Sequence, residues 1–358
     1  MKQNDTEDMR HLLDEFNSAP KRFNENKIIK LVEERGVWPA PYKQQIEGSV
    51  NKIEKTFYDN GAKQCQIIIP DTDFKFIKEI ETLRGIVTFE KRTSADNANW
   101  GVGKSTFYRD RNGITITPDG KLALVTIEVT AMFDENGHLY KRTLFNNLCH
   151  EIHHLLAYRE PLLNRQKMGD VSPQPDISGE QYGHTNNMNT VIDQLDSIHP
   201  DMDNKGFIKE IIYRLLNPYE TNALISGVFG DLQGFNSTRE NFRDDLKKTQ
   251  AYIVYNVLSA NYERVIDSLS YEEITSLYEL LNRYGMAVNT DTKTPANYRY
   301  LLKRRIKHLL SDFFKRIGAA ASLYYDTVEE EQRLNEAHKK KEFSIDGDRN
   351  NNNDIYKQ

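Results

Sequence analysis

Residues 144–157 read Leu-Phe-Asn-Asn-Leu-Cys-His-Glu-Ile-His-His-Leu-Leu-Ala and contain the pattern His-Glu-x-x-His. On an α-helix, residues four apart lie on one face, one turn above each other, so the imidazoles of His150 and His154 can bind one metal ion. Glu151 follows the first histidine, and its carboxylate can reach a water on the metal, whose pKa the ion lowers. The stretch therefore predicts a zinc site whose first two ligands and general base share one helical turn.

The pattern fixes only three residues, so the alternative is a surface helix that carries these histidines by chance. The flanking residues argue against a surface helix, because apolar side chains recur along one stripe at helical spacing. They are Leu144, Leu148, Ile152, Leu155 and Leu156. Between residues 144 and 154 Glu151 is the only charged residue, and burying a charge without a partner is costly. His153 points about 100° away from the ligand face, which favours packing or a hydrogen bond for it.

This stretch resembles the active-site helix of the zincin superfamily of metallopeptidases. The match includes uncharged residues at both x positions, Ile152 and His153, and the apolar Leu156 two residues beyond the second histidine. Asn147 departs from the small β-branched residue often found three places before the first histidine. The resemblance implies an α+β fold in which a twisted sheet precedes the active-site helix, with a helical C-terminal part.

A catalytic zinc site takes three protein ligands and leaves one position open, and two glutamates compete for the third place. Glu160 stands where the metzincin pattern would continue, but that pattern needs a sharp break at a glycine, and Ala157 occupies the position. Pro161 after it predicts only a helix end. Residues 217–223 read Asn-Pro-Tyr-Glu-Thr-Asn-Ala and resemble the Asn-Pro-x-Glu-x-x-Ala segment of gluzincin-type families. That resemblance implies that Glu220 completes the zinc site from a later helix.

An alternative without metal also accounts for this segment. Asn217 as the N-cap, Pro218 at the first helical position and Glu220 at the third form a capping-box arrangement. The long polar stretch between the two candidate helices holds three further residues that stay open as ligands, namely Glu180, His184 and Asp201. Tyr182 and His184 belong to the same stretch and are candidates to contact a substrate or its oxyanion. A solvated loop without a function accounts for these two residues equally well.

Composition limits the class of protein. The chain has 358 residues, 38 % of them hydrophobic and 28 % charged, enough for one large domain or two packed domains. The net charge of -5 and pI of about 6.0 leave no basic footprint for nucleic acid. No apolar run approaches a membrane span and the first residues are too polar for a secretory signal, so we expect no membrane partner and a cytoplasmic or virion-associated protein. Two cysteines, Cys65 and Cys149, argue against a disulfide framework.

The pattern along the chain predicts four parts: a polar N-terminal segment (1–26), a zincin-like metallopeptidase domain (27–236), a helical C-terminal region (237–342) and a polar tail (343–358). Inside the domain the apolar spacing predicts helices over 27–61 and 71–84 and strands over 64–70, 86–91, 104–109, 113–118 and 121–133. An Asn-Gly turn at Asn112 and Gly113 would join two of these strands, and a turn at 134–137 would lead into the histidine helix. The last helix is predicted from Pro295 to about Lys341.

Together these observations predict a zinc-dependent metallopeptidase for a protein or peptide substrate. Zn²⁺ would be held by His150, His154 and Glu220, with Glu151 as the general base. The zincin resemblance implies that an edge strand, here residues 101–108, captures extended substrate by backbone pairing. The alternative is a catalytically silent zincin-fold module, structural or binding, in a large assembly such as a phage particle. The C-terminal helices are then the candidate surface for protein assembly.

Overall fold

The computed structural model describes residues 39–61, 63, 65–91, 103–107, 109–110, 113–114, 116–168, 212, 218–283 and 295–353. Across these residues the chain has a mixed α+β fold, in which a small sheet with two long helices is followed by a helical C-terminal part. The predicted N-terminal segment and the candidate ligands Glu180, His184 and Asp201 lie outside the described residues, as does Tyr182.

The strands form one four-stranded sheet and one short ladder. They are β1 (Gln66–Ile69), β2 (Ile80–Lys91), β3 (Gly103–Phe107), β4 (Arg109–Asp110), β5 (Gly113–Ile114) and β6 (Leu122–Phe133). The sheet order is β1, β2, β6, β3, with β2 and β6 parallel at the centre and the outer strands antiparallel to them. Along the central pair, buried residues alternate with half-buried or exposed ones, as in strands that pack one face against the core. In the described part of the chain, β3 pairs with β6 alone, which confirms the predicted edge strand.

The sheet packs against α1 (Lys43–Asp59) and α2 (Lys141–Met168), the histidine helix. α1 buries the apolar residues that its pattern predicted: Ile46, Val50, Ile53 and Phe57. α2 adds the predicted stripe to the same core through Leu144, Leu148, Ile152 and Leu155. The alternative of a surface helix that carries the histidines by chance is therefore wrong, because the apolar stripe on α2 is buried against the sheet.

Five helices build the C-terminal part around a second core. They are α3 (Pro218–Gly234), α4 (Phe242–Lys247), α5 (Gln250–Ser268), α6 (Tyr271–Arg283) and α7 (Pro295–Asn353). The second core joins one face of α3 to α5, α6 and α7, with Val228, Phe229, Leu258, Ile306 and Phe313 among its fully buried residues. α7 begins at the predicted Pro295 but continues to Asn353, beyond the predicted end near Lys341.

Some local predictions are wrong. Residues 71–84 do not form a helix, because a 3₁₀ turn over Asp71–Phe74 is followed by β2 from Ile80. The apolar residues there are buried as expected, but pairing with the distant strand β6 decides their backbone conformation. In the β4–β5 ladder Gly113 pairs with Asp110, so Gly113 is a strand residue and not the second residue of the predicted Asn-Gly turn. α2 also continues past Pro161 to Met168; an internal proline removes one helical hydrogen bond and does not always end a helix.

α2 and α3 approach each other closely because α3 presents glycines at the contact. A Cβ atom added to Gly230 would lie 2.5 Å from the Phe145 carbonyl oxygen, and one added to Gly234 would lie 2.4 Å from Arg142 Cα. Asn146 Nδ2 donates a hydrogen bond of 3.1 Å to the Gly227 carbonyl. The two helices run antiparallel, since later residues on α3 meet earlier residues on α2. This contact carries the start of α3 to the level of the histidines.

Among the described residues, no helix combines the length and apolar composition that crossing a membrane requires.

Replacing Gly230 by alanine tests this close approach. We expect Gly230→Ala to lower the free energy of unfolding by about 1 to 3 kcal/mol or more, because the added methyl group meets backbone atoms that cannot rotate away. Gly48→Ala on α1 is the matched control: nothing lies within 4 Å of its Cβ, and alanine favours the helix by about 1 kcal/mol. Urea unfolding of both variants is the measurement. Equal stability of the two would show that α2 and α3 are not in close contact at Gly230.

Candidate metal centre

The two histidines of the motif direct the same ring nitrogen to one point. His150 Nε2 and His154 Nε2 are 3.1 Å apart, and the ring planes are inclined at 75° with their centres 4.8 Å apart. Both side chains leave the same face of α2, as residues four apart must. The spacing in the sequence thus correctly predicted that the two imidazoles converge.

Glu220 completes the group from α3. Its carboxylate oxygens lie 3.4 Å from His154 Nε2 and 3.8 Å from His150 Nε2. These separations exceed the range of about 2.7 to 3.2 Å for a hydrogen bond. Together with the 3.1 Å between the two imidazole nitrogens, they bracket the roughly 3.3 Å between two donors on one tetrahedral zinc ion. Among the described residues these three form the cluster that could hold a metal, with all three donor atoms within 4.8 Å of one another. The geometry and the donor types fit a divalent ion such as zinc.

The backbone around Glu220 and Glu160 distinguishes these two candidates for the third donor. Glu220 stands in the first turn of α3, as the capping alternative requires, but its carboxylate faces the imidazoles of the other helix. The positive end of the helix dipole favours a carboxylate at this place. For Glu160, α2 runs unbroken through Ala157, so the sharp turn of the metzincin pattern is missing. The backbone thus favours Glu220 over Glu160 as the third ligand.

The group is largely shielded from solvent. The side chains of His150, His154 and Glu220 are 18 %, 10 % and 5 % exposed. A carboxylate so far removed from water needs cationic or hydrogen-bonding partners, which a shared cation would supply. His150 is the most exposed of the three side chains and Glu220 the most buried.

Glu151 and His153 occupy the places that helix geometry assigns them. Glu151 is buried next to His150 and does not belong to the three-donor cluster. His153 is also buried, and its Nδ1 forms a hydrogen bond of 3.0 Å with Ser226 Oγ on α3. The predicted hydrogen-bonding role of His153 is confirmed.

The sequence reasoning missed a buried ion pair that belongs to the same contact. Arg142 Nε lies 3.5 Å from Asp231 Oδ1, and Asp231 Oδ2 accepts a hydrogen bond of 2.9 Å from the Gln250 amide. Burial raises the pKa of Asp231 to about 6, against the opposing effect of the Arg142 charge. A signal for this contact was present: residues 142, 146, 150 and 154 are polar and recur every four residues, opposite the apolar stripe. Such a polar stripe, on a helix whose opposite face is apolar, indicates that a second helix packs against it.

Two further residues of α2 have roles that the motif did not reveal. Asn147, the departure from the zincin pattern, donates a hydrogen bond of 3.1 Å to the Thr130 carbonyl of β6 and so fixes the helix on the sheet. Cys149 is fully buried, and burial raises the pKa of its thiol, with a smaller contribution from the Asp231 charge. A buried neutral thiol at this position, next to His150, is a packing residue.

Comparisons of this chain with protein-family models, with curated proteins and with solved structures found no match.

Asp231→Asn tests the electrostatics of the helix contact. A raised pKa means that the folded protein holds the Asp231 proton up to about pH 6 while the unfolded chain releases it near pH 4, so this group's contribution to stability falls as pH rises between them. We expect the wild type's free energy of unfolding to fall by about 2 kcal/mol relative to that of the variant between pH 4 and pH 7. Urea unfolding of metal-free protein at each pH measures it. A difference that grows with pH would mean that the ionised pair stabilises the fold.

Proposed function

We propose that the protein is a zinc-dependent metallopeptidase. The observation that carries the proposal is the convergence of His150 Nε2, His154 Nε2 and a Glu220 oxygen from two different helices, at separations of 3.1 to 3.8 Å. Two imidazoles and one carboxylate form a donor set that catalytic zinc sites use, with a fourth position left for water or substrate. Within the part of the chain that the structure describes, three protein donors converge and not four, which favours a catalytic over a closed structural site.

The proposed chemistry divides between the ion and the chain. Zinc supplies Lewis-acid chemistry: it polarises a carbonyl group and makes water a nucleophile near neutral pH. Glu151 would accept a proton from the attacking water and deliver it to the leaving amine when the peptide bond breaks. Glu151 follows His150 directly on α2, the place from which a carboxylate could reach a water on the ion, and its burial would keep bulk water from competing for the proton.

The sheet supports a peptide as the substrate. β3 is the edge strand beside β6, and α2 packs against both. An edge strand offers backbone donors and acceptors along one side, so an extended peptide can pair with it and lie near the histidines. The element order, with the sheet before the histidine helix and the Glu220 helix after it, is the one that a zincin-like fold requires.

The second candidate function is a catalytically silent module, and one observation favours it. The donor cluster lies at the contact between the sheet core and the helical core, since α2 belongs to the first and α3 to the second. A metal at this place would hold the two parts together whether or not it reacts with a substrate, because metal affinity adds to folding stability. The long helix α7, whose residues 332–337 are exposed, would then be available to other proteins of an assembly.

Zinc content and proteolysis together separate these proposals. We expect the purified protein to bind about one zinc ion per chain and to cleave an unfolded polypeptide. Glu151→Gln should retain the zinc and reduce cleavage by a factor of about 10² to 10⁴, because it removes the general base and no ligand. Glu47→Gln, a partly exposed glutamate on α1, is the matched control and should cleave like the wild type.

The other outcomes are equally informative. Stoichiometric zinc without cleavage by the wild type would favour the silent module over the peptidase. A wild type that takes up no zinc would contradict the peptidase and leave the silent module, without a metal, as the remaining candidate. Full activity of Glu151→Gln would leave a zinc enzyme but would assign the proton transfer to another residue.

A further inference from the structure

His153 and Ser226 form a buried link between the two helices that carry the metal donors. His153 Nδ1 and Ser226 Oγ are 3.0 Å apart, and 5 % of His153 and none of Ser226 is exposed to solvent. His153 comes directly before the ligand His154, and Ser226 lies on the helix that begins with Glu220 in its first turn. The bond therefore connects the ligand-bearing segments without using a ligand atom.

The glycine contact alone does not fix the third ligand. Gly230 and Gly234 let the helices approach closely, but a surface without side chains resists rotation and sliding only weakly. The Glu220 side chain extends about 6 Å from the axis of α3, so a rotation of about 10° would displace its carboxylate by about 1 Å. Metal–ligand distances in a working site hold to within about 0.2 Å. Directional contacts must therefore set the rotation of α3: one is the hydrogen bond from Asn146 to the Gly227 carbonyl, and the other is the bond between His153 and Ser226.

The His153–Ser226 bond meets this requirement. Ser226 is six residues after Glu220, which places the two side chains about 120° apart around α3 when viewed along its axis. A rotation of α3 that moves the carboxylate away from the imidazoles would also stretch or bend this hydrogen bond, whose energy depends steeply on geometry. On α2, His153 is held by the same helical turn as both ligand histidines. The His153–Ser226 hydrogen bond and the three metal donors thus depend on the same relative placement of α2 and α3.

We infer that His153 is a positioning residue which, through Ser226, sets the rotation of α3 and thereby the distance from the Glu220 carboxylate to the metal. The inference rests on the metal site proposed above and adds to it a determinant of metal affinity and coordination geometry. His153, the second of the two variable positions in His-Glu-x-x-His, then has a specific role in this chain.

Two substitutions of His153 distinguish this role, because they mimic different ring nitrogens. The amide of asparagine stands where Nδ1 of histidine stands, so His153→Asn can keep the bond to Ser226. The amide of glutamine stands where Nε2 stands, so His153→Gln loses the bond, as does Ser226→Ala. We expect the last two variants to bind zinc about 10- to 100-fold more weakly and to change the visible absorption of bound Co²⁺, and His153→Asn to stay close to the wild type.

The measurements are zinc affinity by competition with a chelator, the Co²⁺ spectrum, and thermal unfolding of the metal-free proteins. If His153→Gln and Ser226→Ala lower only the unfolding temperature and leave zinc affinity and the Co²⁺ spectrum unchanged, the bond serves folding alone and the inference is wrong. Equal loss in His153→Asn and His153→Gln would also overturn it. Should His153→Gln not fold, Ser226→Ala, which removes one oxygen atom, decides by itself. A wild type that binds neither Zn²⁺ nor Co²⁺ would instead contradict the proposed function.

Discussion

The close antiparallel packing of α2 against α3 is the contact on which the candidate site depends. Two donors lie on one helix and the third on the other, so the cluster exists only at a fixed separation and rotation of the pair. Gly230 and Gly234 set the separation, because any side chain there would meet the backbone of α2. Hydrogen bonds from Asn146 and His153 fix the register.

The same contact explains why so many polar groups are buried in one place. α2 has an apolar stripe on the sheet core and a polar stripe towards α3, and α3 in turn belongs to the helical core. Polar groups between two cores are cut off from water and need partners within the contact. Asp231 finds them in Arg142 and the Gln250 amide. A cation would play the corresponding part for the carboxylate of Glu220 and the two imidazoles. Elsewhere, the 2.8 Å ion pair of Lys43 with Glu331 joins α1 to α7.

The features that could be predicted from the sequence are those that local spacing decides. The convergence of His150 and His154 follows from helix periodicity, and the apolar stripes of α1 and α2 identified their buried faces. Residues 71–84 show where this fails, since their apolar spacing suits a helix, yet β2 begins at Ile80 because β6, forty residues further on, offers a parallel partner. The nearness of Glu220 was predicted only by resemblance, because no local pattern encodes a contact 66 residues away in the chain. The glycines and the ion pair of the α2–α3 contact went unnoticed for the same reason.

A crystal grown in the presence of zinc, with an anomalous difference map recorded at the zinc edge, tests the central claim most directly. We expect one strong peak at about 2.0 to 2.2 Å from His150 Nε2, His154 Nε2 and a carboxylate oxygen of Glu220. A map with no peak between these atoms, although the two imidazoles and the carboxylate keep their places, would show that the cluster is a polar contact between helices and not a metal site.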